Sequence, residues 1–295
     1  MFPPRTLFTV PLSNGGALHL GMRPLIMGIL NVTPDSFADA ESRLDSGRAI
    51  AAALQMEEDG ADLIDVGGES TRPGAEALSA EEELARVLPV LQGLEGRLRV
   101  PVSIDTYKAE VARAALEAGA SLVNDISALR YDPKLAGVVA ERGAALVLNH
   151  SRGRPKTMYD GASYSDLVGE ISAELMAGID VARAAGVTDE QIVVDPGIGF
   201  AKRTEHSYGV LGRLAEIAAA LGRPVLVGPS RKSFMRRALN GRLAIERDWG
   251  TAASVAAAVL AGAHIVRVHA VAEMAQVVRV AEEIRRHGLT QETAP

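Results

Sequence analysis

The chain is expected to fold as one α/β unit, an eight-stranded parallel (β/α)8 barrel with an N-terminal β-hairpin at its bottom. Three observations carry this expectation. Eight short apolar runs rich in β-branched residues recur along the 295 residues, and such continuous runs suit strands buried on both faces, as in a parallel sheet. Helical patterns lie between the runs in strict alternation. Glycines stand where helix C-terminal caps belong, at Gly60, Gly119, Gly143, Gly186, Gly222 and Gly262. The length fits one decorated barrel of roughly 250 residues.

The elements follow in order. Residues 5–21 (RTLFTVPLSNGGALHLG) read as a hairpin turning at Asn14-Gly15-Gly16, placed at the N-terminal mouth of the barrel. The barrel occupies residues 24–286. Its strands are LIMGILN (25–31), ADLIDVG (61–67), VPVSID (100–105), SLVND (121–125), AALVLNH (144–150), QIVVDPG (191–197), PVLVGPS (224–230) and HIVRVH (264–269). Helical patterns cover 44–60, 79–96, 107–119, 133–143, 164–186 and 205–222, with further helical segments completing the alternation. Residues 287–295 read as a frayed tail. With no linker, residues 1–295 form one domain. The runner-up is an open doubly wound sheet, which would want a GxGxxG turn after its first strand. That strand runs instead into NVTPDSF.

Composition excludes several classes. Hydrophobic residues make up 47% and charged residues 23%, ordinary values for a globular chain. Aromatics at 4% and a net charge of −6 argue against a nucleic-acid surface or an attraction to anionic lipid. Cysteine is absent, which removes disulfides, thiolate nucleophiles, Cys-ligated zinc and iron–sulfur clusters. With no signal-peptide core and no apolar stretch long enough to span a bilayer, the expected location is the cytoplasm.

In a β/α barrel, chemistry belongs at the C-terminal ends of the strands, and polar residues fall there. The first strand ends at Asn31, before Phe37 and Asp39. The second runs into Glu69, Thr71, Arg72 and Pro73. The third ends at Asp105, the fourth at Asn124 and Asp125, and the fifth at Asn149 and His150. The sixth ends at Asp195, followed by Phe200 and Lys202. The seventh leads to Ser230, Arg231, Lys232 and Ser233, and the eighth carries Arg267 and His269. Any one of these has a plain structural reading as a helix cap or surface charge. A ring of them at one mouth suggests a polar ligand, because buried polar groups are costly unless paired. Asp105, Asn124, Asp195 and Lys232 suit a heterocycle with N–H donors and an exocyclic carbonyl. Asn31, Arg267 and His269 suit a phosphate or pyrophosphate, with Asn31 a ligand for Mg2+. Metal and serine hydrolysis are poorly supported, since HxH, HExxH and GxSxG are all missing.

The ordered motifs GILNVTPDSF, DVGGESTRPG, SIDT, NDIS, DPGIGF, SRKSF and RVH resemble those of the dihydropteroate synthase family, over residues 24 to 285. The resemblance implies a β/α barrel that condenses para-aminobenzoate with 6-hydroxymethyl-7,8-dihydropterin diphosphate. It implies that Asp105, Asn124, Asp195 and Lys232 bind the pterin, with the substrate-binding candidate Asn149 in the wall of that pocket. Asn31, Arg267 and His269 would hold the diphosphate with Mg2+, and Thr71, Arg72, Pro73, Phe200 and Ser233 would surround para-aminobenzoate. Phe37, Asp39 and Arg72 would complete the closed site. Asp105, Asp195, Lys232, Arg267 and His269 are the implied catalytic groups, and a homodimer is expected. Four positions depart from the family pattern: Asn149 stands where Met is common, Ala201 replaces a Gly, Ala40 and Glu41 replace a Gly pair, and Ala270 replaces Asp. Other readings left open are a pterin-binding methyltransferase barrel, which should lack SRKS and the Arg267–His269 pair, and a pterin-binding paralogue without turnover.

Overall fold

The computed structural model describes residues 2–32, 42–71 and 74–289. Among them, eight parallel strands form the barrel: β3 (Leu25–Asn31), β4 (Leu63–Gly67), β5 (Val102–Asp105), β6 (Leu122–Asp125), β7 (Ala145–Asn149), β8 (Ile192–Asp195), β9 (Leu226–Val227) and β10 (Ile265–Val268). They pair in the order β8-β7-β6-β5-β4-β3-β10-β9. The parallel bridge between Val194 and Val225 brings the last edge back to β8. The first and last strands are therefore neighbours, with Arg267 opposite Met27.

The outer layer comprises α1 (Ser42–Glu58), α2 (Ala80–Leu94), α3 (Ala109–Glu117), α4 (Leu135–Arg142), α5 (Leu167–Ala184), α6 (Thr204–Gly212), α7 (Leu214–Leu221), α8 (Asp248–Leu260) and α9 (Val271–Leu289). Ser79 and Glu82 start α2 with a reciprocal capping box, which satisfies two orphan N–H groups at once. The six expected cap glycines all have positive φ, from 59° at Gly222 to 103° at Gly60. L-residues with a Cβ adopt that region only under strain.

One expectation needs correction. Residues 205–222 read as a single helix, but the structure breaks them into α6 and α7 at Arg213, whose φ of −117° leaves the helical basin. Gly209 and Gly212 lie in the turn before the break, and glycine is a weak helix former. The seventh strand is also shorter than expected. Its two residues give way to irregular chain and two 3-10 turns, Ser233–Met235 and Ala244–Glu246.

Two apolar layers hold the barrel. One lies between strands and helices and includes Ile64, Val66, Ile104, Leu146, Leu148 and Val194. The other lies inside the barrel, where Leu25, Leu63, Leu122, Leu226 and Ile265 from the strand starts meet Val10, Leu12, Leu18 and Leu20. Those four come from the antiparallel hairpin β1 (Phe8–Pro11) and β2 (Ala17–Leu20). The hairpin thus plugs the bottom of the pore, and any ligand must enter from the top. Leu20 is only 1% exposed in this plug. Leu20→Ala is expected to lower unfolding stability by about 2–5 kcal/mol, measurable by urea denaturation, while the polar upper end keeps its arrangement.

Candidate active site

The inward face of each strand changes character along its length, because alternate residues share a face. Near the bottom it carries Met27, Leu63, Leu122, Val147 and Val193. Two residues further along the same strands come Asp65, Asn124, Asn149 and Asp195, joined by Asp105 and Arg267. The polar ends are in register: Gly67 lies opposite Asp105, Asp105 opposite Asn124, and Asn149 opposite Asp195.

Arg267 is the hub of this layer. Its Nε donates to Asp65 Oδ2 at 2.6 Å, and its Nη2 donates to Asp105 Oδ2 at 2.7 Å. Asn124 Nδ2 donates to the same Asp65 oxygen at 2.9 Å. Burial opposes the Arg267 charge, but the two carboxylates outweigh it and hold the guanidinium pKa above its ordinary value. Burial pushes the Asp105 carboxyl well above the usual range; Arg267 opposes that rise and the Asp65 charge adds to it. Asp65 was not among the residues the sequence pointed to. Its signal was present, as an acid on the inward face of the otherwise apolar run ADLIDVG.

Asp195 lies across the pore. Burial raises its pKa, against the attraction of Lys232 and the Gly197 N–H that donates to Oδ1 at 2.7 Å. A Cβ at Gly228 would stand 3.7 Å from Arg267 Cβ and 3.8 Å from Asp195 Oδ2, so the two side chains approach each other over this glycine. Burial lowers the Lys232 amine to about 8, with Asp195 resisting. Lys232 Nζ donates to Ile198 O at 2.6 Å and lies 4.4 Å from the centroid of the Phe200 ring.

The sequence grouped Arg267 with Asn31 and His269. The structure bonds Arg267 to Asp65 and Asp105, and sets His269 against Ser230, whose Oγ lies 2.8 Å from Nδ1. Asn31 ends β3, half-buried, opposite Gly67. Thr71 is half-buried, and Ser233 is exposed at the start of a 3-10 turn. The base of the Thr71 loop is tied down by buried Glu69, which accepts from Tyr107 Oη at 3.0 Å and Leu78 N at 3.1 Å and pairs with Lys108. Lys108 also pairs with buried Glu83. Phe37, Asp39, Arg72 and Pro73 lie outside the described residues. His150 points away from the pore, toward Lys202 and Glu174.

Among the described residues, no three His, Asp or Glu side chains converge as a metal cage, and no helix is long and apolar enough to cross a membrane.

A barrel plugged below and lined above by acids, amides and two cations defines a pore that takes a polar ring system. Comparison with known proteins makes the class specific. The family model described as "Pterin binding enzyme" matches residues 27–269. The dihydropteroate synthase of Synechocystis is 48% identical over 280 residues, 95% of this chain and 96% of that protein. The Xanthomonas albilineans dihydropteroate synthase with 4-aminobenzoic acid superposes with a TM-score of 0.86 at 39% identity, covering 97% of this chain and 100% of that one. The Burkholderia cenocepacia enzyme complexed with 7,8-dihydropteroate gives 0.85 at 39% identity, with the same coverage. The chain belongs to the dihydropteroate synthase family of pterin-binding enzymes.

Asn149 is 3% exposed, and its Oδ1 is buried without a hydrogen-bond partner in the protein. A buried acceptor left unpaired costs about 1–3 kcal/mol. Asn149→Met, which restores the side chain common in the family, is expected to raise the stability of the ligand-free protein by about 1 kcal/mol, read from chemical denaturation midpoints.

Proposed function

We propose that the chain joins para-aminobenzoate to 6-hydroxymethyl-7,8-dihydropterin diphosphate, releasing pyrophosphate and forming 7,8-dihydropteroate for folate synthesis. The observation that carries this reading is the row of acceptors Asp105, Asn124 and Asp195 facing one pore beside Lys232, on the barrel of a family whose members bind these compounds. The pterin ring presents amino and ring N–H groups to those acceptors and its carbonyl to the Lys232 amine. As the C–O bond to the diphosphate breaks, positive charge grows on the pterin methylene carbon. Asp105 and Asp195, held in a pore plugged from below, stabilise that charge without reorganising. The arylamine nitrogen then forms the new C–N bond and gives up a proton, and no covalent enzyme intermediate is required.

Thr71, Phe200 and Ser233 border the arylamine; Phe37, Asp39, Arg72 and Pro73 are assigned to the same half of the site on the family resemblance alone. On the diphosphate side stand Asn31, Arg267 and His269. The described residues offer Mg2+ a neutral amide oxygen at Asn31 rather than a ready cage. That fits an ion held jointly by Asn31 and the substrate's own phosphate oxygens, the usual arrangement for this small, reluctantly dehydrated cation. When bound, Mg2+ supplies positive charge toward the departing pyrophosphate.

A homodimer is part of the proposal. Leu243, Ile245 and Trp249, in and just before the first turn of α8, are exposed, as are Val280 and Ile284 on α9, with Trp249 88% exposed. Large apolar groups concentrated on neighbouring helices suit a second copy of the chain. A diphosphate ester does not cross a bilayer unaided, so we place the enzyme in the cytoplasm.

Pyrophosphate and 7,8-dihydropteroate should accumulate together, in equal amounts, when both substrates are supplied with Mg2+. Asp195→Asn should keep the fold and lose ~10²–10³ in turnover; near-normal kcat in the folded variant would remove Asp195 from the chemistry. With Lys232 needed as a cation, kcat/KM should fall as pH rises through about 8, and Lys232→Arg should abolish that limb while lowering the plateau. Light scattering should give twice the monomer mass for the wild type, and Trp249→Glu should shift it toward the monomer.

A further inference from the structure

Lys202 heads the largest fully buried side chains, at 1% exposure, and the proposed chemistry makes no use of it. Burying an amine costs several kcal/mol unless it is fully bonded, and an apolar side chain of the same length would fill the space. Its contacts indicate what it does. Nζ lies 2.7 Å from His150 Nδ1 and donates to Phe200 O at 3.2 Å. His150 Nε2 lies 3.1 Å from Glu174 Oε2 on α5. Burial and the neighbouring amine keep the imidazole neutral, with a pKa lowered to about 4. Because Lys202 donates to Nδ1, the ring hydrogen sits on Nε2 and donates to Glu174. Amine, imidazole and carboxylate form one chain from the loop after β8 to α5.

The loop needs such support. Gly197 and Gly199 have φ of 70° and 79°, and Ala201, a residue with a Cβ, has φ of 48°. Four successive carbonyls accept from side chains: Ile198 from Lys232, Gly199 from Tyr159 at 3.0 Å, Phe200 from Lys202, and Ala201 from Tyr164 at 3.1 Å. The peptide that Lys202 holds is the one carrying the Phe200 ring against Lys232.

We propose that Lys202 is a positioning residue: through His150 and the Phe200 carbonyl it fixes the Phe200 ring, and thereby the para-aminobenzoate half of the site. This rests on the reading that Phe200 borders the arylamine. The test is steady-state kinetics of the full chain with both substrates. Lys202→Met is expected to raise KM for para-aminobenzoate about ten-fold, a displacement effect, and to leave KM for the pterin diphosphate within about two-fold. His150→Leu should reproduce that split with Lys202 intact, and it carries the test if Lys202→Met does not fold. His150→Gln, whose amide accepts from Lys202 and donates to Glu174, should restore wild-type KM. Equal loss for both substrates, or no rescue by Gln, would overturn the proposal. Phe200→Ala separates the two readings. If it raises KM for para-aminobenzoate while Lys202→Met does not, the strut is wrong. If Phe200→Ala leaves that KM unchanged, the placement of the arylamine is wrong and the proposal falls with it.

Discussion

The upper half of the barrel depends on one guanidinium. Asp65 is completely buried and Asp105 nearly so, and burial, with the Asp65 charge beside it, pushes the Asp105 carboxyl up. Arg267 meets both with separate N–H groups of a rigid planar fork, a geometry that the point charge of lysine cannot reproduce. It can do so only because the sheet is closed. Arg267 enters from β10, and its partners sit two and three strands away along the sheet, on β4 and β5. The curved wall lets one long side chain cross the pore and reach both. Asn124 completes the link by sharing the Asp65 oxygen. Four residues from four strands thereby have defined positions before any ligand arrives.

Much of this was legible because two periodicities coincide. Period-two alternation says which strand residues face the pore, and the barrel says that chemistry lies at strand ends. Asp105, Asn124, Asn149, Asp195 and Arg267 satisfy both conditions and lie together in the structure. Asp65 satisfies the first condition but sits two residues before its strand's end, so a reading confined to strand ends passed over it. A charged residue in the inward series of an apolar strand deserves the same weight as one at the mouth, since an unpaired acid there would be too costly to keep.

What the sequence did not reveal depends on pairings between distant segments. Nothing local to Lys202 says that it is buried or that it meets His150, 52 residues away. A lysine after a glycine-rich turn reads as a solvated loop residue. His150 follows Asn149 at a strand end and looks like a mouth residue, yet alternation turns it outward, toward α5. The break at Arg213 is similar, since the apolar pattern continues through it and only the backbone angles report the change. Ala201 adds a subtler case. It has a Cβ yet takes a φ of 48°, and side chains of Lys202 and Tyr164 hold the Phe200 and Ala201 carbonyls on either side of the turn.

The polar atoms left unpaired are as informative as those that are bonded. Asp65 Oδ1, Ser103 Oγ and Asn149 Oδ1 are buried with no hydrogen-bond partner in the protein. Asp65 and Ser103 are directly opposite one another on β4 and β5. All three belong to the inward face. Protein interiors normally satisfy such groups, and the strands of Asp65 and Asn149 carry Leu63 and Val147 two residues lower. The acceptors that do reach the pore, on Asp105 and Asp195, favour a ligand that brings N–H donors, because the cost of holding them there is borne by the free protein. The same arrangement disfavours an isosteric ring lacking those donors, which would bury the acceptors again without partners. Selectivity for a donor-rich heterocycle and modest stability of the empty pore are then two consequences of one choice, polar residues on the upper inward face of an otherwise apolar barrel.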